Sequence, residues 1–149
     1  MAILIPLMAG FVATALMCFF MEIVTRARLA NADMVRAVGS MFTRSYDNAL
    51  MPGLIIQFGF GIVFGFIYFA ILSYFTPGTV LSGIFAGLVI GFFHGMVVSL
   101  ALVIAVAEHH PLERFRVAGF TVAASHLAGH IIYGLVIGIV FGISGVSFF

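Results

Sequence analysis

The stretch "VAGFTVAASHLAGHIIYGLVIGIVFGISG", residues 117–145, holds no Asp, Glu, Lys or Arg and carries a glycine at every fourth position from Gly134 to Gly142. A run of this length and polarity meets the roughly 20 residues that a helix needs to cross a hydrocarbon core of about 30 Å. It reads as a membrane-spanning helix. Three earlier runs have the same character: Ile3 to about Val24, Leu54 to about Phe75, and Val80 to about Ala107. The expected fold is therefore an all-α membrane protein with four transmembrane helices in one domain, residues 1–149.

Composition agrees with that solvent. Hydrophobic residues make up 64% of the chain and charged residues 7%, against about 25% charged in soluble domains. Such a chain cannot cover a water-facing surface. A net charge of +1 with no basic stripe gives no footing for nucleic acid. Cys18 is the single cysteine, which excludes an intramolecular disulfide and a thiolate metal cluster. The first run has no positive segment before it, and Glu22, Arg26 and Arg28 follow it instead. It reads as a retained helix rather than a cleavable signal.

The arginines predict orientation. There is no lysine, and Arg26, Arg28, Arg36, Arg44, Arg114 and Arg116 all lie between the first and second runs or between the third and fourth. The positive-inside rule makes both segments, about 27–50 and 108–116, cytoplasmic. Both termini and the Thr76–Thr79 turn then face outside, and the chain is multi-pass in a cell inner membrane. Within the first segment, Asn31 or Asp33 is placed to cap a short helix with Met34, Val35, Val38 and Met41 or Phe42 on one side. That pattern fits an amphipathic connector in the membrane interface.

An internal repeat divides the chain. "QFGFGIVFGFIY" from Gln57 aligns with "HIIYGLVIGIVF" from His130, so that Gly61 falls on Gly134 and Gly65 on Gly138. A weaker echo sets "AGFVATALM" from Ala9 beside "AGLVIGFFH" from Ala86. The expectation is two parallel-repeat helical hairpins, about 1–75 and 80–149, related by a pseudo-two-fold along the membrane normal. Under this alignment His130 replaces Gln57 and His94 replaces Met17. The glycine series Gly61 and Gly65, then Gly87, Gly91 and Gly95, then Gly134, Gly138 and Gly142 form small-xxx-small ridges. These allow close helix packing within the bundle, against a membrane-protein partner, or in a homo-oligomer.

The polar residues within the spans carry the functional expectation. His94 lies mid-span in the third run, and His130 about 20 Å from Arg116 at about 1.5 Å per residue, so the two match in depth. His126 sits one turn nearer the cytoplasm, with Glu22 and Glu108 at the cytoplasmic ends of the first and third runs. Ionisable residues at such depth suggest function. Four chemistries compete. His94 and His130, flanked by Gly91, Gly95, Gly129 and Gly134, match the axial pair of a b-type haem. His126 and His130, with His94 or the carboxylates Glu22 and Glu108, suit a transition metal such as copper, iron or zinc. The same ladder suits a proton path. The fourth is polar glue between helices.

The "AGFVATALM" span, the "MVRAVGSMF" connector, the "GFGIVFGFIYF" span and the "HG…HHPL" segment together resemble a group of small uncharacterised bacterial four-helix membrane proteins. The resemblance covers most of the chain and implies the same four-helix fold. That group would carry a histidine near the start of the second span, where this chain has Gln57. The functional expectation is a small non-catalytic subunit of a larger membrane complex, redox or energy-converting. Its rivals are a proton or metal-ion transporter and a cytochrome b-like electron carrier.

Overall fold

The computed structural model describes residues 2–148, with the side chains of all but Ala105, Val106 and Ala107. Met1 and Phe149, the ends of the expected domain, lie outside the described residues. Every described element is helical. Four helices are long and apolar enough to span a membrane: α1 (Leu4–Arg26), α3 (Leu50–Phe75), α4 (Val80–Ala101) and α7 (Phe120–Ser144). The chain is thus built as a multi-pass membrane protein. The reason is backbone chemistry: hydrocarbon offers no hydrogen bonds, so each peptide group must find its partner inside its own helix.

Local sequence sets where the helices start and stop. Thr79 and Ser82 form a capping box at the head of α4, each side chain bonding the other residue's backbone N–H. That pairing satisfies amides a helix start leaves open. Pro77 and Gly78 make the preceding turn, where Gly78 takes a φ of +73°. Gly145 closes α7 at φ +62°, the left-handed conformation that glycine adopts at least cost. Between Arg26 and Leu50 a short helix, α2 (Met34–Thr43), begins at Asp33, whose side chain accepts from the Arg36 amide at 3.2 Å. Of the two expected caps, Asp33 does the work. Asn31 instead donates to the Arg114 carbonyl at 2.9 Å and links the connector to the second loop.

The third run departs from one continuous α-helix. Its backbone passes into a π-helical segment, Leu102–Val106, before the short turns α5 (Ala107–His109) and α6 (Glu113–Arg116). The fourth run begins as helix at Phe120 rather than Val117.

The spans associate in a defined order. α4 lies along α7, α7 against α1, and α1 against α3, while the backbones of α3 and α4 come close at few points although a short turn joins them. α2 rests against α3. Glycines decide the close contacts. A Cβ built on Gly83, Gly87 or Gly91 would strike the backbone of α7 at Gly138, Gly134 or His130. Gly134, Gly138 and Gly142 meet α4 in return. On α3, Gly61 faces Thr14, and Gly65 faces Gly10 and Pro6 of α1. In lipid, such contact supplies the van der Waals attraction that drives helix association. Around it sits a buried cluster with Ala13, Tyr68, Phe69, Leu72, Tyr133, Ile137 and Phe141. Phe69 and Phe141 meet edge to face with ring centres 5.4 Å apart.

A histidine-lined cavity as the candidate functional site

His94 projects from α4 between Gly91 and Gly95, the two glycines that draw that helix onto α7 at His130. Gly91 sits against the His130 carbonyl, and Gly95 against the His130 Cβ and Leu127. The tight seam thereby sets the two imidazoles edge to face, with ring centres 4.9 Å apart and planes at 82°. Phe64 of α3 stacks on His94 at 4.3 Å. Tyr68, also of α3, places its hydroxyl 3.0 Å from His94 Nδ1.

Phe64 and the two imidazoles border a cavity of about 300 Å³. Met17 of α1, Gln57, Phe60 and Phe64 of α3, His94 and Val98 of α4, and His130 and Tyr133 of α7 line it, and Met34 and Val38 of α2 close it below. Its polar lining groups are Gln57, the two imidazoles and Tyr133; no Asp, Glu, Lys or Arg lines it among the described residues. Phe60, though part of the wall, is 62% exposed. The wall at Phe60 therefore reaches the bundle's outer surface.

Hydrogen bonds assign the ring nitrogens. His130 Nδ1 lies 2.8 Å from the His126 carbonyl oxygen. A carbonyl only accepts, so Nδ1 holds the proton and Nε2 of the neutral ring is a bare acceptor. Tyr68 is 1% exposed, and its hydroxyl has His94 Nδ1 as its one acceptor among the described residues. Because a buried hydroxyl seeks an acceptor, Tyr68 donates to Nδ1, and His94 keeps its proton on Nε2. The Nε2 atoms of both rings have no hydrogen-bond partner among the described residues. Tyr133 donates across the bundle to the Gly61 carbonyl at 2.5 Å.

The other expected site residues lie elsewhere. His126 directs Nδ1 at the Val122 carbonyl, 3.2 Å away, and borders a separate cavity beneath the connector with Phe115 and Arg114. Glu22 is held by Arg26 at 2.6 Å on an exposed part of α1, and Glu108 is exposed. These positions bear on three expectations. Among the described residues no three His, Cys, Asp or Glu side chains come together to hold a metal ion, so the set His94, His126, His130, Glu22 and Glu108 is not one ligand shell. The ladder from His94 and His130 through His126 to Glu22 and Glu108 is broken for the same reason: its lower members face other surroundings. The haem expectation turns on the space beside the pair. The glycines meant to leave room for a macrocycle are filled, Gly91 and Gly134 by each other's helices and Gly129 by Met17 and Met21 of α1. The rings touch edge to face with no gap for a plane between them.

Three participants carry no signal of their own in the sequence. Tyr68 and Tyr133 are embedded in phenylalanine- and glycine-rich runs that look like ordinary lipid-facing helix. His110 is the third. It is fully buried, donates from Nε2 to the Ala37 carbonyl at 2.9 Å and accepts the Leu112 amide at Nδ1, 3.0 Å away. It pins α2 to the second loop.

No protein-family model, curated protein or solved structure matches this chain.

Proposed function

We propose that the chain is a small non-catalytic integral membrane subunit that works in association with a larger membrane complex, redox or energy-converting. In this reading it lies in an inner membrane, with segments 27–50 and 108–116 cytoplasmic and both termini outside, and its halves are parallel hairpin repeats. One observation carries the association. Only 22% of the most apolar window is buried in α3 and in α4, against 39% in α1 and in α7. α3 and α4 thus leave a larger share of their surface outward than α1 and α7 do.

The repeat is supported by matching contacts. Gly10 meets the Gly61 carbonyl, and at the corresponding positions Gly87 meets the Gly134 carbonyl. The four aligned positions Met17, Gln57, His94 and His130 all border one cavity. The rival transport reading needs a continuous polar line, and the separation of His126, Glu22 and Glu108 from the histidine pair speaks against it.

Purification from the native membrane in mild detergent, followed by native electrophoresis, tests the proposal. The expected result is a band far above 16.0 kDa containing other chains in fixed stoichiometry. A lone chain that drives proton or metal-ion flux in liposomes, with the flux lost in His94→Ala, would favour the transporter instead.

A further inference from the structure

We infer that the cavity between α3, α4 and α7 is a binding site for a neutral, hydroxyl-bearing ring lipid, a quinol or related phenol with an apolar tail. The inference goes beyond the accessory-subunit reading and holds whether or not a protein partner is present. Its first support is the pair of free imidazole edges. His130 is only 7% exposed, yet its Nε2 has no protein partner among the described residues and its ring lines the cavity. Open to the cavity and without a protein partner, this lone pair is free to accept from a ligand hydroxyl. The two edges are complementary: His94 offers an N–H, and His130 offers a lone pair. The ring centres are 4.9 Å apart and both rings line the cavity, and in the proposed complex one hydroxyl group accepts from the first and donates to the second. A ketone oxygen accepts only and leaves His130 unsatisfied.

The rest of the wall selects the body of the ligand. Phe60, Phe64 and Tyr133 present aromatic surface suited to a flat ring. Among the described residues no charged side chain lines the space, so a phosphate or carboxylate head has no counter-ion there. The volume of about 300 Å³ is at the small end of ligand pockets, sized for a head and not for a whole lipid. The exposed rim at Phe60 gives the tail an exit into the bilayer. Met17 and Gln57 occupy the same cavity at the repeat positions of His94 and His130, so the hydrogen-bonding pair is present on one side of the site only, as a single asymmetric ligand requires.

Titration calorimetry on the full chain in mild detergent, under argon, tests the inference with three probes: a decyl-tailed benzoquinol, its quinone, and decylbenzene. Saturable one-to-one binding of the quinol, at least threefold tighter than the quinone, with no saturable binding of decylbenzene, is expected. His94→Phe and His130→Phe should each weaken quinol binding tenfold or more, while Phe85→Ala, on an outward surface of α4 (70% exposed), leaves it unchanged. Val98→Trp fills the cavity without removing a polar group and should also abolish binding. It guards against a histidine variant that fails to fold. Equal uptake of quinol and decylbenzene, a preference for the quinone, or binding indifferent to Val98→Trp would each overturn the inference. So would saturable binding of copper or zinc that excludes the quinol. Native electrophoresis reads partner association separately, so loss of one proposal leaves the other standing.

Discussion

The α4–α7 seam and the α3–α4 side of the molecule are made from similar residues and behave in opposite ways. Along the seam, glycines from both helices interlock until backbone meets backbone. On the other side, the backbones of consecutive helices joined by a short turn come close at few points, side chains such as Phe64 and Tyr68 reach across to His94, and Phe60 is left exposed. The difference lies in what faces what. Gly83, Gly87 and Gly91 fall on one stripe of α4 and Gly134, Gly138 and Gly142 on one stripe of α7, so both helices lose their side chains along the same line. Gly61 and Gly65 are turned towards α1 and leave α3 with bulky residues towards α4. In lipid, where apolar surface gains nothing by leaving its solvent, shape complementarity alone decides which pairs close. The cavity follows as the remainder: the closed seam delivers His94 and His130 to the edge of the open side.

This contrast can be broken by substitution. The largest effect is expected at the seam. Gly134→Leu would drive a side chain into the Gly87 carbonyl and the Gly91 backbone, and overpacking of this kind costs about 3 kcal/mol or more where backbones must part. Thermal unfolding followed by circular dichroism in detergent should show a large drop or outright aggregation. Next is His110→Ala, which unpins α2 from the second loop by removing the bond to the Ala37 carbonyl. A loss of about 1–3 kcal/mol is expected, read most directly as faster proteolysis within residues 27–50. A smaller loss, about 0.5–1.5 kcal/mol, should follow Tyr133→Phe, which removes the one cross-bundle hydrogen bond to Gly61. Gly59→Ala, two residues from Gly61 but with nothing within 4 Å of its new Cβ, should move the unfolding midpoint by no more than a surface change does, about 0.5 kcal/mol. A Gly59 variant as damaging as the Gly134 variant would show that glycine matters here through helix propensity and not through contact.

The spans were legible because run length and the absence of charge are direct consequences of bilayer thickness. Boundaries moved by a few residues where the residues were apolar without being helical, as at Val117, Ala118 and Gly119, or where the α-helix gave way to a π segment at Leu102. The site was legible only in outline. Equal depth for His94 and His130 follows from counting residues, but their meeting depends on helix rotation, which the facing glycines set and no single helix encodes. His126 shows the limit: one turn from His130 on the same helix, it nonetheless borders a different cavity, because the connector helix covers that level of the bundle. Tyr68 was hidden for a simpler reason. Its hydroxyl matters only beside His94, 26 residues further along the chain.

The most direct measurement is the ¹⁵N spectrum of the histidine rings in the protein reconstituted in lipid. The account predicts a neutral His94 protonated on Nε2 and a neutral His130 protonated on Nδ1, with through-space contact between the two rings and between His94 and Tyr68. The same tautomer on both rings, or no contact between them, would contradict the donor and acceptor pair on which the site rests.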